Sequence, residues 1–278
     1  MEEQLDTFIT TIYVICDDIL KILNIEDDPQ ALMSNAEVMT FSIFAAKNFA
    51  GNHTKSRWFC KKLGYFSKIL SNSCLNRRIH KIPWSIWNAV FRFLALVFTR
   101  GNDSKEFAVD SFPIACCQKS RIDRRHIFLG KQHIEFASSR RGFFCGIRVH
   151  MVVTANGEPV EAMFRPASEH DVEVLWSMEL QLPHGSTLYA DRGYTSYLLE
   201  DILSQDEGIQ LLAKRKKNAK RKSTPEVSRL IGSRRQIVET AFSCITNLLP
   251  RYIKAITEKG FMIRVMSAVL AYSGSLAC

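Results

Sequence analysis

The spacing of apolar residues changes once along this chain, near residue 100, and that change limits the folds open to it. Before it, apolar positions recur at three- and four-residue intervals with few Gly or Pro, as on one buried helix face. Leu5, Phe8, Ile9, Ile12, Ile15, Ile19 and Ile22 make one such stripe. Ser34 and Glu37 stand at capping-box spacing ahead of a helix expected over 37–49. A turn at Gly51-Asn52 leads into a basic helix over 54–63, and Leu75-Asn76-Arg77-Arg78-Ile79-His80-Lys81 precedes a long helix from near Pro83. Helix, turn and basic helix outline a helix-turn-helix DNA reader and, equally, any small helical bundle.

After about residue 105 the period is two. Strands are expected over 107–112, 142–154, 160–164, 186–190 and 209–213, with helices over 171–180 and 196–205 between the later ones. Neighbouring strands followed by strands alternating with helices make an α/β fold, a mixed five-stranded sheet flanked by helices. Helices over 227–249 and 261–272 close the chain. The expected organisation is a helical module over 1–100 and an α/β domain over 101–278.

Charge is segregated along this order. The chain of 278 residues carries +9 overall, with a pI near 9.2, which directs attention to polyanionic partners. Residues 1–28 nevertheless hold eight acids against a single base, Lys21. Lys214-Arg215-Lys216-Lys217-Asn218-Ala219-Lys220-Arg221-Lys222 opens a stretch to Arg235 with ten bases and one acid, Glu226. So dense a like-charge run is expected as a flexible loop, 214–226, in contact with phosphate. The apolar stretch 8–25 is broken by Asp17, Asp18 and Lys21, and 84–98 by Arg92, so neither is expected to span a membrane. Eight cysteines show no Cys-x-x-Cys pair, which suits reduced thiols of a cytoplasmic protein.

Three acids stand where structural acids are uncommon. Asp110 lies inside the apolar run 107–112, Asp191 directly follows Leu188-Tyr189-Ala190, and Glu239 sits four residues after Arg235 on a helix. A charge within a strand must be paired or bind a metal. Three carboxylates converging from two strands and a helix suit two Mg²⁺ ions and phosphodiester chemistry. Taken singly, each acid fits an ordinary ion pair as well. His170-Asp171 reads as a capping or positioning pair for the following helix, and Arg148 and His150 lie within a strand.

Val109-Asp110-Ser111-Phe112-Pro113, Tyr189-Ala190-Asp191-Arg192-Gly193-Tyr194 and Arg235-Gln236-Ile237-Val238-Glu239-Thr240 resemble the three catalytic boxes of bacterial insertion-sequence DDE transposases. The nearest likeness is to the insertion-sequence 982 family, in the wider group around the insertion-sequence 4 and 5 families. Gly146-Ile147-Arg148-Val149-His150, Gly157-Glu158-Pro159-Val160-Glu161, Ala167-Ser168-Glu169-His170-Asp171 and Leu270-Ala271-Tyr272-Ser273 extend it over most of the chain. The resemblance implies a ribonuclease H-like catalytic domain preceded by a DNA-binding or dimerisation module. It also implies a site of two Mg²⁺ ions, Mn²⁺ substituting, on Asp110, Asp191 and Glu239. Asp110 would bridge both ions. Its partners would be DNA, as terminal inverted repeats and target, with no membrane, and a homodimer on DNA in a bacterial cytoplasm.

Arg77, Arg78, Lys81, Lys214, Arg215, Lys216, Lys217, Lys220, Arg221, Lys222 and Arg235 are then the expected DNA contacts, and Arg148, His170 and Asp171 the supporting residues. The chain departs from the family's Tyr-x2-Arg-x3-Glu-x6-Lys signature at Gly232 and Thr246. A nuclease without strand transfer, and a DNA-binding remnant without chemistry, are the alternatives.

Overall fold

A computed structural model describes residues 2–137, 142–216 and 218–278. Its elements in chain order are α1 (Glu2–Ile22), α2 (Asn35–Phe49), α3 (His53–Leu63), α4 (Asn72–Lys81), α5 (Trp84–Gly101), β1 (Glu106–Gln118), β2 (Ile134–Ala137), β3 (Gly142–Thr154), β4 (Pro159–Pro166), α6 (Asp171–Ser177), β5 (Thr187–Ala190), α7 (Tyr197–Asp206), β6 (Gln210–Ala213), α8 (Pro225–Asn247) and α9 (Glu258–Ala277). They divide into two compact units, Met1–Leu94 with Cys244–Cys278, and Ala95–Ser243.

The first unit is helical. Phe8, Ile12, Cys16 and Ile19 of α1 are buried, as the stripe requires, and α2 is buried along most of its length. The α2 start is the expected capping box: Ser34 Oγ accepts from the Glu37 backbone N–H at 3.0 Å, and Glu37 Oε2 accepts from the Ser34 N–H at 2.7 Å. Residues 64–71 separate α3 from α4, longer than the three- or four-residue turn of a helix-turn-helix.

The final helix differs from expectation. The sequence places it with the sheet, but α9 packs in the helical unit, where Ser267 Oγ lies 3.0 Å from Ser42 Oγ of α2. A Cβ on Gly274 would come within 2.5 Å of Ile12 Cδ1, so glycine there allows α1 to approach α9. By length and composition α9 could cross a bilayer, yet 67% of that stretch is buried inside the protein.

The second unit is a mixed sheet. Among the described residues it has six strands, not five, in the order β2-β3-β1-β5-β6, with β4 also on β3. The added strand, β2, pairs with residues 142–145, while β4 pairs with 147–153 of the same β3 edge. Four residues long, β2 is too short for its alternation to register in sequence. β1 runs on to Gln118, past the expected end at Phe112, antiparallel to β3 and parallel to β5.

All eight cysteines are free. Burial pushes Cys16 and Cys60 up to about 12, so both act as core hydrophobes. A β-bulge between Ala115 and Cys117 brings Cys116, Cys117 and Cys145 within 4.8 Å of one another, a grouping that linear spacing does not reveal.

Replacing Ser34 by Ala removes the α2 cap. It is expected to lower unfolding free energy by about 1 kcal/mol, measured by denaturant titration.

Candidate active site

Register brings the first two acids together. β1 and β5 run parallel with Val109 opposite Ala190, so Asp110 and Asp191 stand one step further along neighbouring strands, on one face. The third comes from α8, which docks by packing Phe242 on Phe112, ring centroids 4.4 Å apart, and burying Val238 and Ala241. An ion pair of Arg234 with Glu106, itself accepting from Tyr189 Oη at 2.9 Å, fixes the rotation of α8.

The carboxylates meet at one guanidinium. Arg235 lies 3.0 Å from Asp110 Oδ2, 3.4 Å from Asp191 Oδ1 and 3.3 Å from Glu239 Oε1. Exposure is graded, from 14% for the Asp110 side chain through 34% for Asp191 to 57% for Glu239. Burial pushes the Asp110 carboxyl above its ordinary value, against the lowering effects of the Ser111 N–H and Arg235. Arg235, expected among the DNA contacts, is instead the internal cation of the acid cluster.

A divalent ion fits this donor set in chemistry: three carboxylates from three elements, one of them desolvated, are already gathered on a positive charge. The acids surround the arginine. They do not close on one another: among the described residues only the cysteine group has its ligand atoms all within 4.8 Å.

Beside Asp110 runs a second polar chain, of which the sequence singles out Arg148 and Asp171 but not Glu135 or the bonding of Ser111. Ser111 Oγ donates to Asp171 Oδ1 at 3.0 Å, and Arg148 Nη1 donates to Ser111 Oγ at 3.0 Å. Arg148 also pairs with Glu135 of β2. Burial raises the Asp171 carboxyl. His150 Nδ1 lies 3.1 Å from the buried Tyr194 hydroxyl, and burial lowers this histidine to about 3, so its 3.7 Å approach to Asp171 involves a neutral ring. A Cβ on Gly193 would meet Asp171 Oδ2 at 2.3 Å, so the glycine of the second box is what lets Asp171 in. Asp171 and Arg148 therefore both meet Ser111, the residue next to Asp110. His170 does not: it is exposed, at the α6 N-cap, with no side-chain capping bond.

The basic segment starts at the site, since Ala213 is paired with Ala190 and Lys214 N–H donates to Ala190 O at 3.0 Å. It is not the free loop expected. Arg215 makes two bonds of 2.7 and 2.6 Å to Glu200, with both side chains about nine-tenths buried. Arg221 makes two of 2.7 Å to Asp201 and lies over the Tyr197 ring. Acids of α7 thus tie down two of the expected DNA contacts, while Lys214, Lys216, Lys220 and Lys222 stay exposed. Lys217 lies outside the described residues. In the helical unit Arg77 and Lys81 are exposed, whereas Arg78 turns inward to Asn35 Oδ1 at 3.2 Å and Asp27 at 3.8 Å.

Two expectations test these assignments. Because the folded Asp110 carboxyl binds its proton more readily than the unfolded one, its ionisation costs stability as pH rises through the folded value. Asp110→Asn is expected to melt above wild type at pH 7, the gap closing toward about pH 4, by thermal scans at both. Arg215→Gln removes two short charged bonds to the buried Glu200 and leaves it only the 3.6 Å contact of Arg221, and is expected to cost about 2 kcal/mol in denaturant melts, whereas Lys216→Gln is expected to leave stability unchanged.

Residues 100–251 match the family model of the transposase DDE domain. No curated protein and no solved structure matches the chain. The matched span is more than half of the chain and contains Asp110, Asp191, Arg235 and Glu239, the residues that converge in space. This chain belongs to the DDE transposase domain family.

Proposed function

We propose that this chain is a working transposase of a bacterial insertion sequence, nearest the insertion-sequence 982 family, with a ribonuclease H-like catalytic unit. The observation that carries this reading is the convergence of Asp110, Asp191 and Glu239 on a single positive charge beside the sheet. The central position of β1, with an antiparallel neighbour on one side and a parallel one on the other, supports the fold assignment.

Asp110, Asp191 and Glu239 would hold two Mg²⁺ or Mn²⁺ ions, which supply charge stabilisation at the attacking and leaving oxygens of a phosphodiester. Water displaces the 3′-oxygen of the element end from phosphorus, and the freed 3′-hydroxyl then displaces a 3′-oxygen of target DNA. Each step forms one P–O bond and breaks one, and no protein nucleophile takes part. Ser111, Asp171 and Arg148 hold the Asp110 segment of β1 in place. Arg235, once other cations balance the acids, is free to turn to the phosphate. Lys214, Lys216, Lys220 and Lys222 grip the backbone beside the site, which sets position and not sequence. The helical unit reads the terminal inverted repeats. Two element ends must be brought together, so the working form is a homodimer on DNA, in the bacterial cytoplasm on the nucleoid.

The test is purified protein with Mg²⁺ or Mn²⁺, labelled inverted-repeat ends and a plasmid target. Joined products are expected with wild type and are expected to be lost, by 10³-fold or more on the order of a catalytic group's removal, in Asp110→Asn, Asp191→Asn and Glu239→Gln. Nicking without joining would make the protein a nuclease, and band shifts without cleavage a DNA-binding remnant. Mg²⁺ is also expected to raise the melting midpoint of wild type and not of the Asp110→Asn, Asp191→Asn double variant.

A further inference from the structure

Within the helical unit, α4 and the segment leading into α9 line an open cavity of about 560 Å³. Arg77, His80, Lys81, Lys254 and Arg264 line it, with no acidic residue among the lining side chains. Thr257, also in the wall, caps α9 by accepting from the Gly260 N–H at 3.0 Å, so the positive end of a long helix meets the same space. A Cβ on Gly260 would come within 2.4 Å of His80 Nε2, so glycine lets α4 close against the first turn of α9.

Arg264 is the informative side chain. It is half-buried, and among the described residues no ion pair or hydrogen bond to an acid holds it, in contrast to Arg148, Arg215 and Arg235. Burial alone pulls its guanidinium below the ordinary value. Its charge is felt next door: burial, then Arg264 and His80, push His53 down to about 4. A guanidinium withdrawn from water without a counter-charge is costly and is ordinarily matched by an anion. The cavity volume exceeds what one small ion fills and is of the order of nucleotide-sized sites.

We propose that this cavity binds phosphate groups of the DNA backbone, a second hold on nucleic acid built jointly by α4 and the start of α9. Arg264 and Lys254, which no sequence motif marks, are its central contacts, and Arg77 and Lys81 extend it along α4. The identity of the polyanion as DNA rests on the transposase reading; the anion site itself does not.

Anisotropy of labelled duplex with the full chain, over a range of salt, tests it. Arg264→Gln and Lys254→Gln are each expected to raise Kd about tenfold, as loss of a charged hydrogen bond does. Each is expected to reduce the slope of log Kd on log salt by about one, equally for element-end and unrelated duplex. Arg264→Lys is expected to restore the slope. Since Arg264 has no acidic partner among the described residues, Arg264→Gln should melt no lower than wild type, which separates lost binding from lost folding. Unchanged Kd and slope in the double variant would overturn the proposal. Should wild type bind no duplex at all, the transposase reading fails and inorganic phosphate decides the cavity. A melting-point rise in wild type that Arg264→Gln abolishes sustains the anion site, and no response in wild type refutes it.

Discussion

Three carboxylates cannot be gathered in one place in a folded chain unless positive charge stands among them, and here that charge is Arg235. Its guanidinium touches Asp110, Asp191 and Glu239 at 3.0 to 3.4 Å. Without it, like charges gathered around one point would repel by an amount on the order of a few kcal/mol even at a moderate effective dielectric. The arginine sits four residues before Glu239 on one helix face. The element that delivers the third acid therefore also delivers the cation that lets the three coexist.

Everything else at the site serves to bring α8 and two strands to that point. The parallel pairing of β1 with β5 sets Asp110 beside Asp191, and a shift of one residue would turn one of them to the other face. Phe112 against Phe242 and Glu106 against Arg234 fix the height and rotation of α8. Next to Asp110, a chain of polar contacts runs from Glu135 through Arg148 and the Ser111 hydroxyl to Asp171. Breaking any member leaves a desolvated partner, so the β1 backbone around Asp110 is held from both sides.

The acids were legible in sequence because each interrupts an apolar pattern or ends one, and because their order along the chain is informative. The mixed sheet was legible from the change of period. What surrounds the acids was not. Glu135 lies on a strand of four residues whose alternation is too short to read. Asp171 looks like a helix-start residue, and only folding shows its side chain turned to Ser111 across the space that Gly193 leaves. The basic run misled for a physical reason: like-charge density predicts repulsion and disorder, but Glu200 and Asp201 on α7 neutralise its arginines from a different part of the chain. The place of α9 was equally hidden, since an apolar helix carries no mark of which unit it will join.

The departures from the family signature fall on the side of α8 that carries Arg235 and Glu239. Gly232, Arg235, Glu239 and Thr246 are spaced at three, four and seven residues, so all four project from one side of the helix. Gly232 and Thr246 are exposed, and a Cβ added at Gly232 meets nothing within 4 Å. Neither position packs anything, so their change leaves the docking of α8 and the delivery of Glu239 intact. Relative to the signature that the resemblance supplies, that side of the helix lacks an aromatic ring and a positive charge. On the transposase reading, phosphate contacts fall to cations elsewhere, and the exposed lysines that begin at Lys214, level with Asp191, are the ones the sheet register places beside the acids.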